Sequence, residues 1–172
     1  MFSKRDKLSL DKYDITKITN ILDLKGSSIF EPKSGGAHLR EFYLWEEPHH
    51  PNMTFLISNY ADGLPNLTRF ISQKGLIDNI EFVVYENELY RYRKLFKEGR
   101  ERFVQLIKDA RWEFFEEGIP LDYEYVENYE KKNKKDRLNS LMISEYLEAE
   151  GIQVDLLRNE ISCGKYFQRL AW

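Results

Sequence analysis

Apolar and polar positions change their spacing several times along the chain, and the changes mark its elements. Between Asp14 and Leu24, Ile15, Ile18 and Leu22 fall on one helical face with Gly26 just beyond, which predicts a first helix. Ser34–Gly36 reads as a loop. From His38 to Trp45 the pattern alternates, with Leu39, Glu41, Tyr43 and Trp45 set against Arg40, Phe42 and Leu44. Apolar groups stand in both sets, so a strand covered on much of both faces is expected. Glu46–Asn52, with two prolines, reads as a connection to a second strand, Met53–Ser58, paired antiparallel to the first.

Turn chemistry comes next, at Asn59 and Asp62–Gly63. Leu64, Leu67, Phe70 and Ile71 return to helical spacing, with Pro65 acceptable in the first turn and Gly75 at the end. Ile80–Tyr85 and Leu89–Phe96 are β-prone runs that predict a hairpin across Glu86–Glu88. A second hairpin is expected within Arg102–Gly118, where Phe103–Ile107 and Trp112–Phe115 flank the polar turn Lys108–Arg111. Ala110 tolerates a positive φ poorly, which favours a longer loop there.

The last third reads as helical. Val126 and Tyr129 begin a turn or two, and the polar run Lys131–Asp136 either continues or interrupts them. From Arg137 to Glu150, Leu138, Leu141, Met142, Ile143, Tyr146 and Leu147 spread over a wide arc, as in a helix packed between elements, and Gly151 closes it. Ile152–Leu157 suggests a short strand, and Tyr166, Phe167 and Leu170 a final short helix. This order predicts an α+β fold in a single domain, residues 1–172, with a mainly antiparallel sheet of about five or six strands and helices packed on one face.

Composition sharpens the class but not the chemistry. A chain of 172 residues buries roughly 70% of its unfolded surface. The 42% hydrophobic and 15% aromatic content supplies a core. Both charge signs are interspersed and the net charge is only −3, so bulk electrostatics single out neither nucleic acid nor an anionic membrane. The lone Cys163 has no intramolecular disulfide partner and fits a reducing compartment. No apolar run approaches the roughly 20 residues of a membrane span, and MFSKRDKLSLDKYD has no signal-peptide core. A cytoplasmic protein with no membrane contact is expected.

Catalytic patterns are weak. His49 and His50 are adjacent between Pro48 and Pro51, with only His38 as a third histidine, which favours a solvated loop over a metal site. Cys163 reads as a small core residue, and no phosphate loop or nucleophile elbow is present. Neither a metal, a cofactor nor a catalytic residue is assigned. An uncharacterised hydrolase would have to gather His49, His50 or Cys163 with carboxylates in a pocket. A nucleic-acid-binding reading rests on Tyr90–Arg91–Tyr92–Arg93–Lys94, which interleaves aromatics with cations, and on Lys131, Lys132, Lys134, Lys135 and Arg137.

The acidic side stands out more. Between Arg111 and Glu130 lie seven acids and one base, a local charge of −6, beside several aromatics. Glu113, Glu116, Glu117, Asp122 and Glu124 are candidates to supply charge to a basic protein partner, with Trp112, Tyr123 and Tyr125 supplying buried contact. The bland reading is a solvated rim.

Three segments, FLISNYADGLPNLTRFIS, RFVQLIKDARWEFFEEG and YEKKNKKDRLNSLMISEYLEAEGI, together resemble small bacterial immunity proteins of toxin–immunity loci. The resemblance implies a non-enzymatic cytoplasmic protein that neutralises a cognate toxin domain by direct binding. It carries over no individual functional residue.

Overall fold

The computed structural model describes residues 13–18, 41–47, 50–60, 65–75, 77–153 and 164–169. They fall into two compact units, one drawn from Met1–Gly63 and Arg158–Trp172, the other from Leu64–Leu157. Both are built on antiparallel sheets, and the α+β class is as expected. The described strands number eight, four to each sheet.

In the first unit β1 (Tyr13–Ile18), β2 (Glu41–Glu47), β3 (His50–Ser58) and β8 (Gly164–Arg169) form a sheet in the order β1-β8-β2-β3. The predicted β2–β3 pair is present, with Trp45 opposite Phe55 and their rings stacked 5.3 Å apart. Asn59 closes the pair by accepting from the Glu41 amide at 3.1 Å. Two helices expected from local spacing are strands instead. Residues 13–18 pair with 164–169, Ile15 opposite Phe167, and β8 lies between β1 and β2. Ile15, Thr16 and Ile18 are β-branched and stiff at χ1, so pairing across the sheet prevails over a three-residue helical stripe. In β8, Gly164 leaves room for the Tyr43 ring, which a Cβ there would overlap. The predicted loop Ser34–Gly36, the end of the first predicted helix, His38, His49 and Cys163 lie outside the described residues.

The second unit begins with α1 (Pro65–Gly75), bounded as its Pro and Gly suggest. Beyond it comes a four-stranded meander: β4 (Asn79–Tyr85), β5 (Leu89–Leu95), β6 (Glu101–Lys108) and β7 (Trp112–Glu117). Both predicted hairpins are here. Asn87 takes the left-handed conformation (φ 65°) in the first turn, where asparagine is among the residues that tolerate it. Alternation sorts the sheet. Tyr90, Tyr92 and Lys94 stand beside Leu106, Val104 and Arg102 on one face, and Leu89, Arg91 and Arg93 beside Ile107, Gln105 and Phe103 on the other.

The first face is covered by α3 (Ser140–Ala149), which buries Met142, Ile143, Tyr146 and Leu147; Tyr146 meets Tyr92 edge-on at 5.6 Å. Full burial of each such aliphatic side chain stabilises by roughly 1.5–3 kcal/mol. Leu141, counted with this apolar set in the sequence, is exposed. The polar run before α3 is an interruption. A short α2 (Val126–Tyr129) ends, and a 3-10 turn occupies Lys134–Asp136; Asn133 caps that turn and Asn139 caps α3. Asn139 accepts from the Met142 amide at 3.0 Å, so Asn139→Ala is expected to cost about 1 kcal/mol, read as a lower urea midpoint with an unchanged slope. Ile152 and Gln153 form no strand, and the remainder of that predicted element lies outside the described residues.

Candidate partner-binding face

The two faces of the β4–β7 sheet use their charges differently. Under α3, Arg102 and Glu124 form an internal pair: the Arg102 side chain is 1% exposed and that of Glu124 0%. Arg102 donates through Nε and a terminal nitrogen to Glu124 at 2.7–3.0 Å, to Glu116 at 2.9 Å, and to the carbonyls of Glu117 and Gly118 at 3.2 and 3.0 Å. Glu124 also accepts from the Leu121 amide and the Tyr129 hydroxyl, both at 3.0 Å. Burial opposes the Arg102 charge, yet the bonds to Glu124 and Glu116 outweigh it and hold its pKa above the ordinary arginine range.

Around this pair runs a chain of tyrosines. Tyr129 and Tyr146 share a hydroxyl contact at 2.8 Å, Tyr92 and Tyr123 another at 2.8 Å, and Tyr123 donates to Glu150, which also accepts from Lys94. Burial first, and then contact with carboxylates and other phenols, raises the Tyr123 and Tyr129 hydroxyls above their usual range. They are protonated donors at any physiological pH. Every member is bonded, which is the condition under which a buried polar network fixes one packing.

These contacts divide the eight residues expected to meet a partner. Glu124 is internal, and its charge serves Arg102. Tyr123 is bound into the tyrosine chain, and Glu116 is half engaged by Arg102. Trp112 is partly covered, stacked on Tyr90 at 6.3 Å with Lys108 over its ring. Tyr125 and Asp122 are exposed. Glu113 and Glu117 remain together: on β7, Trp112, Phe114 and Glu116 turn toward the α3 side, and Glu113, Phe115 and Glu117 to the other.

That outer face is where the sheet is open. Phe115 is 47% exposed between Glu113 and Glu117, with Ile107 and Phe103 directly opposite the two acids on β6. Ile119, just past the strand, is 69% exposed. Glu113 has only a loose pair with the highly exposed Arg111, at 3.6 Å. Phe115 and Ile119 were not among the expected contact residues, although period-two alternation in WEFFEE places Phe115 between the two acids. Toward α1 the same face closes over: Arg93 is buried and donates to Glu101 at 2.6 Å, which also accepts from Arg69 at 2.9 Å.

Burial raises the Glu101 pKa, but hydrogen bonds from Arg93 and Arg69 together outweigh it and leave the carboxyl below the ordinary glutamate range. A depressed carboxyl contributes stability above its unfolded pKa of about 4.3 and loses it as pH falls through the folded value. Glu101→Gln is therefore expected to lower stability at neutral pH and to flatten the acid limb of a stability-versus-pH curve below about pH 4.3, measured by urea unfolding.

The Tyr/Arg strand does not form a stacking platform. Tyr90 and Tyr92 are buried on the α3 side, while Arg91 and Arg93 lie on the opposite face, held by Gln105, Glu81 and Glu101. Lys131, Lys132, Lys134 and Lys135 are exposed, and Arg137 donates to the Lys131 carbonyl at 2.8 Å. Among the described residues no group of three or more His, Cys, Asp or Glu side chains is placed to hold a metal ion, and no helix is long and apolar enough to cross a membrane.

No family model, curated protein or solved structure matches this chain.

Proposed function

We propose that the protein is a non-enzymatic binding module that acts by stoichiometric capture of another protein. Its most specific form is a cytoplasmic bacterial immunity protein that covers the basic active site of a cognate toxin domain. The observation that carries this reading is Phe115, a large aromatic left nearly half exposed between two acids on an open sheet face. An apolar centre with a charged rim is the composition of a protein interface. Enzymes acting on anionic substrates gather cations at their active sites, and Glu113 and Glu117 are the complement of such a surface. The resemblance of three segments to immunity proteins points the same way.

The test is capture followed by rescue. The tagged chain, expressed in its native host, is expected to retain one protein in a fixed one-to-one ratio, and co-expression to relieve that protein's toxicity. Phe115→Ala with Glu117→Lys is expected to weaken binding at least about tenfold, or 1.4 kcal/mol, whereas Leu141→Ala at another exposed position leaves it unchanged. Recovery of no stoichiometric protein partner by the native chain sinks the reading.

A further inference from the structure

The two outer strands of the second sheet are protected very differently. β7 carries Glu113, Glu116 and Glu117 and has the Lys134–Asp136 turn beside it. β4, Asn-Ile-Glu-Phe-Val-Val-Tyr, has no proline, lysine or bulge, and its register with β5 is regular from Asn79 to Tyr85. Its one charge, Glu81, lies 3.5 Å from Arg93 and 3.6 Å from Arg91 of the same sheet. Among the described residues, β4 makes no backbone hydrogen bond outside its own hairpin, so a row of amides and carbonyls faces outward. Natural edge strands ordinarily carry a charge, a proline or a twist that prevents another strand from adding.

We propose that β4 is a self-pairing edge, on which a second copy of the chain adds its own β4 antiparallel about a two-fold axis at Phe82, making one continuous eight-stranded sheet. Self-pairing is favoured over a foreign strand by where the apolar side chains are left uncovered. Ile77 is exposed just before the strand starts, and Val84 and Tyr85 are exposed where it ends. An antiparallel copy lays the start of one strand against the end of the other, so both pairs of loose ends are covered by the same operation. In that register Ile80 stands opposite Val84, Glu81 opposite Val83, and Phe82 opposite itself. No two like charges oppose each other, and the cross-strand pairs are those that stabilise sheets. The contact is small, so the dimer should depend on concentration.

Sedimentation velocity over a dilution series tests this. The native chain is expected to pass from monomer to dimer on reaching about 100 μM. Val84→Lys, which places a cation on the edge, is expected to remain monomeric there with an unchanged circular dichroism spectrum; Leu141→Lys, elsewhere on the surface, is expected to dimerise as the native chain does. In a Cys163→Ser background, Phe82→Cys is expected to yield a disulfide-linked dimer on mild oxidation, because the two-fold axis brings the new thiols face to face. A native chain that stays monomeric overturns the proposal. So does a dimer that the folded Val84→Lys variant leaves intact. Should that variant fail to fold, the cross-link decides: a native dimer whose Phe82→Cys form does not link overturns the register and with it the pairing. None of these readouts involves Phe115 or a captured protein, so failure here is distinguishable from failure of the binding function.

Discussion

Arg102→Met is expected to lower the stability of the second unit by about 3–5 kcal/mol, the cost typical of leaving one charge of a buried pair without its partner. That is a large share of the roughly 5–15 kcal/mol that holds a domain folded. The cause is specific. Glu124 has a fully covered side chain, and three of its hydrogen bonds come from Arg102. Methionine fills much of the arginine stem's volume but supplies no donor, so a carboxylate is stranded with only the Leu121 amide and the Tyr129 hydroxyl. Removing both charges together, as Arg102→Met with Glu124→Leu, is expected to restore a substantial part of the loss, because the penalty lies in the unpaired ion and not in the missing attraction. Urea midpoints for the two single variants and the double variant measure the coupling. Losses that simply add would show that the pair is not a unit. The arginine end of the pair is insensitive to pH. Its folded pKa is raised, so its contribution is fully present below the ordinary arginine range and is lost only above it.

The same pair shows how far the chain could be read before its structure. Hairpins β4–β5 and β6–β7 were legible because each strand bonds to its neighbour in sequence, and alternation plus a turn is a local signal. β1 and β8 were not. They pair Ile15 with Phe167 across nearly the whole chain, and nothing within either segment announces the other. Three apolar residues at helical spacing were therefore misleading, and so were the adjacent Tyr166 and Phe167. The acidic stretch was legible as a concentration of charge but not as a surface. On β7 the period of two separates Glu113 and Glu117 from Glu116, and that much is available from the letters. Beyond Gly118 the chain has no period, so no pattern distinguishes the internal Glu124 from the exposed Asp122 two residues earlier. The discriminating group, Arg102, sits at the start of β6, where alternation puts it among the buried residues only once α3 is known to cover that face. A buried arginine requires a buried acid, and the acid it selects comes from a loop 22 residues later.

Gly118→Ala is expected to be the other severe substitution, costing about 2–5 kcal/mol. Two independent effects meet at this position. Its φ is +84°, a conformation that charges any residue with a Cβ roughly 1–2 kcal/mol. The added methyl would also overlap the Glu101 carbonyl oxygen, a backbone atom in β6 that cannot rotate away, and relief by backbone movement typically costs a further 1–3 kcal/mol. The movement would not stay local. The Gly118 carbonyl accepts from Arg102 at 3.0 Å, so shifting it disturbs the donor that neutralises Glu124. Gly99 supplies the control, since its φ is +91° but a Cβ there meets nothing within 4 Å. Gly99→Ala should therefore lose only the conformational part, about 1–2 kcal/mol. The comparison is made by urea unfolding of both variants, with the slope checked for constancy. Equal midpoints would mean that the turn relaxes around the methyl and that Gly118 is required for its φ alone. A clear excess for Gly118, partly abolished in the Arg102→Met background, would show that the close approach of β7's end to β6 is what seats the arginine on its glutamate.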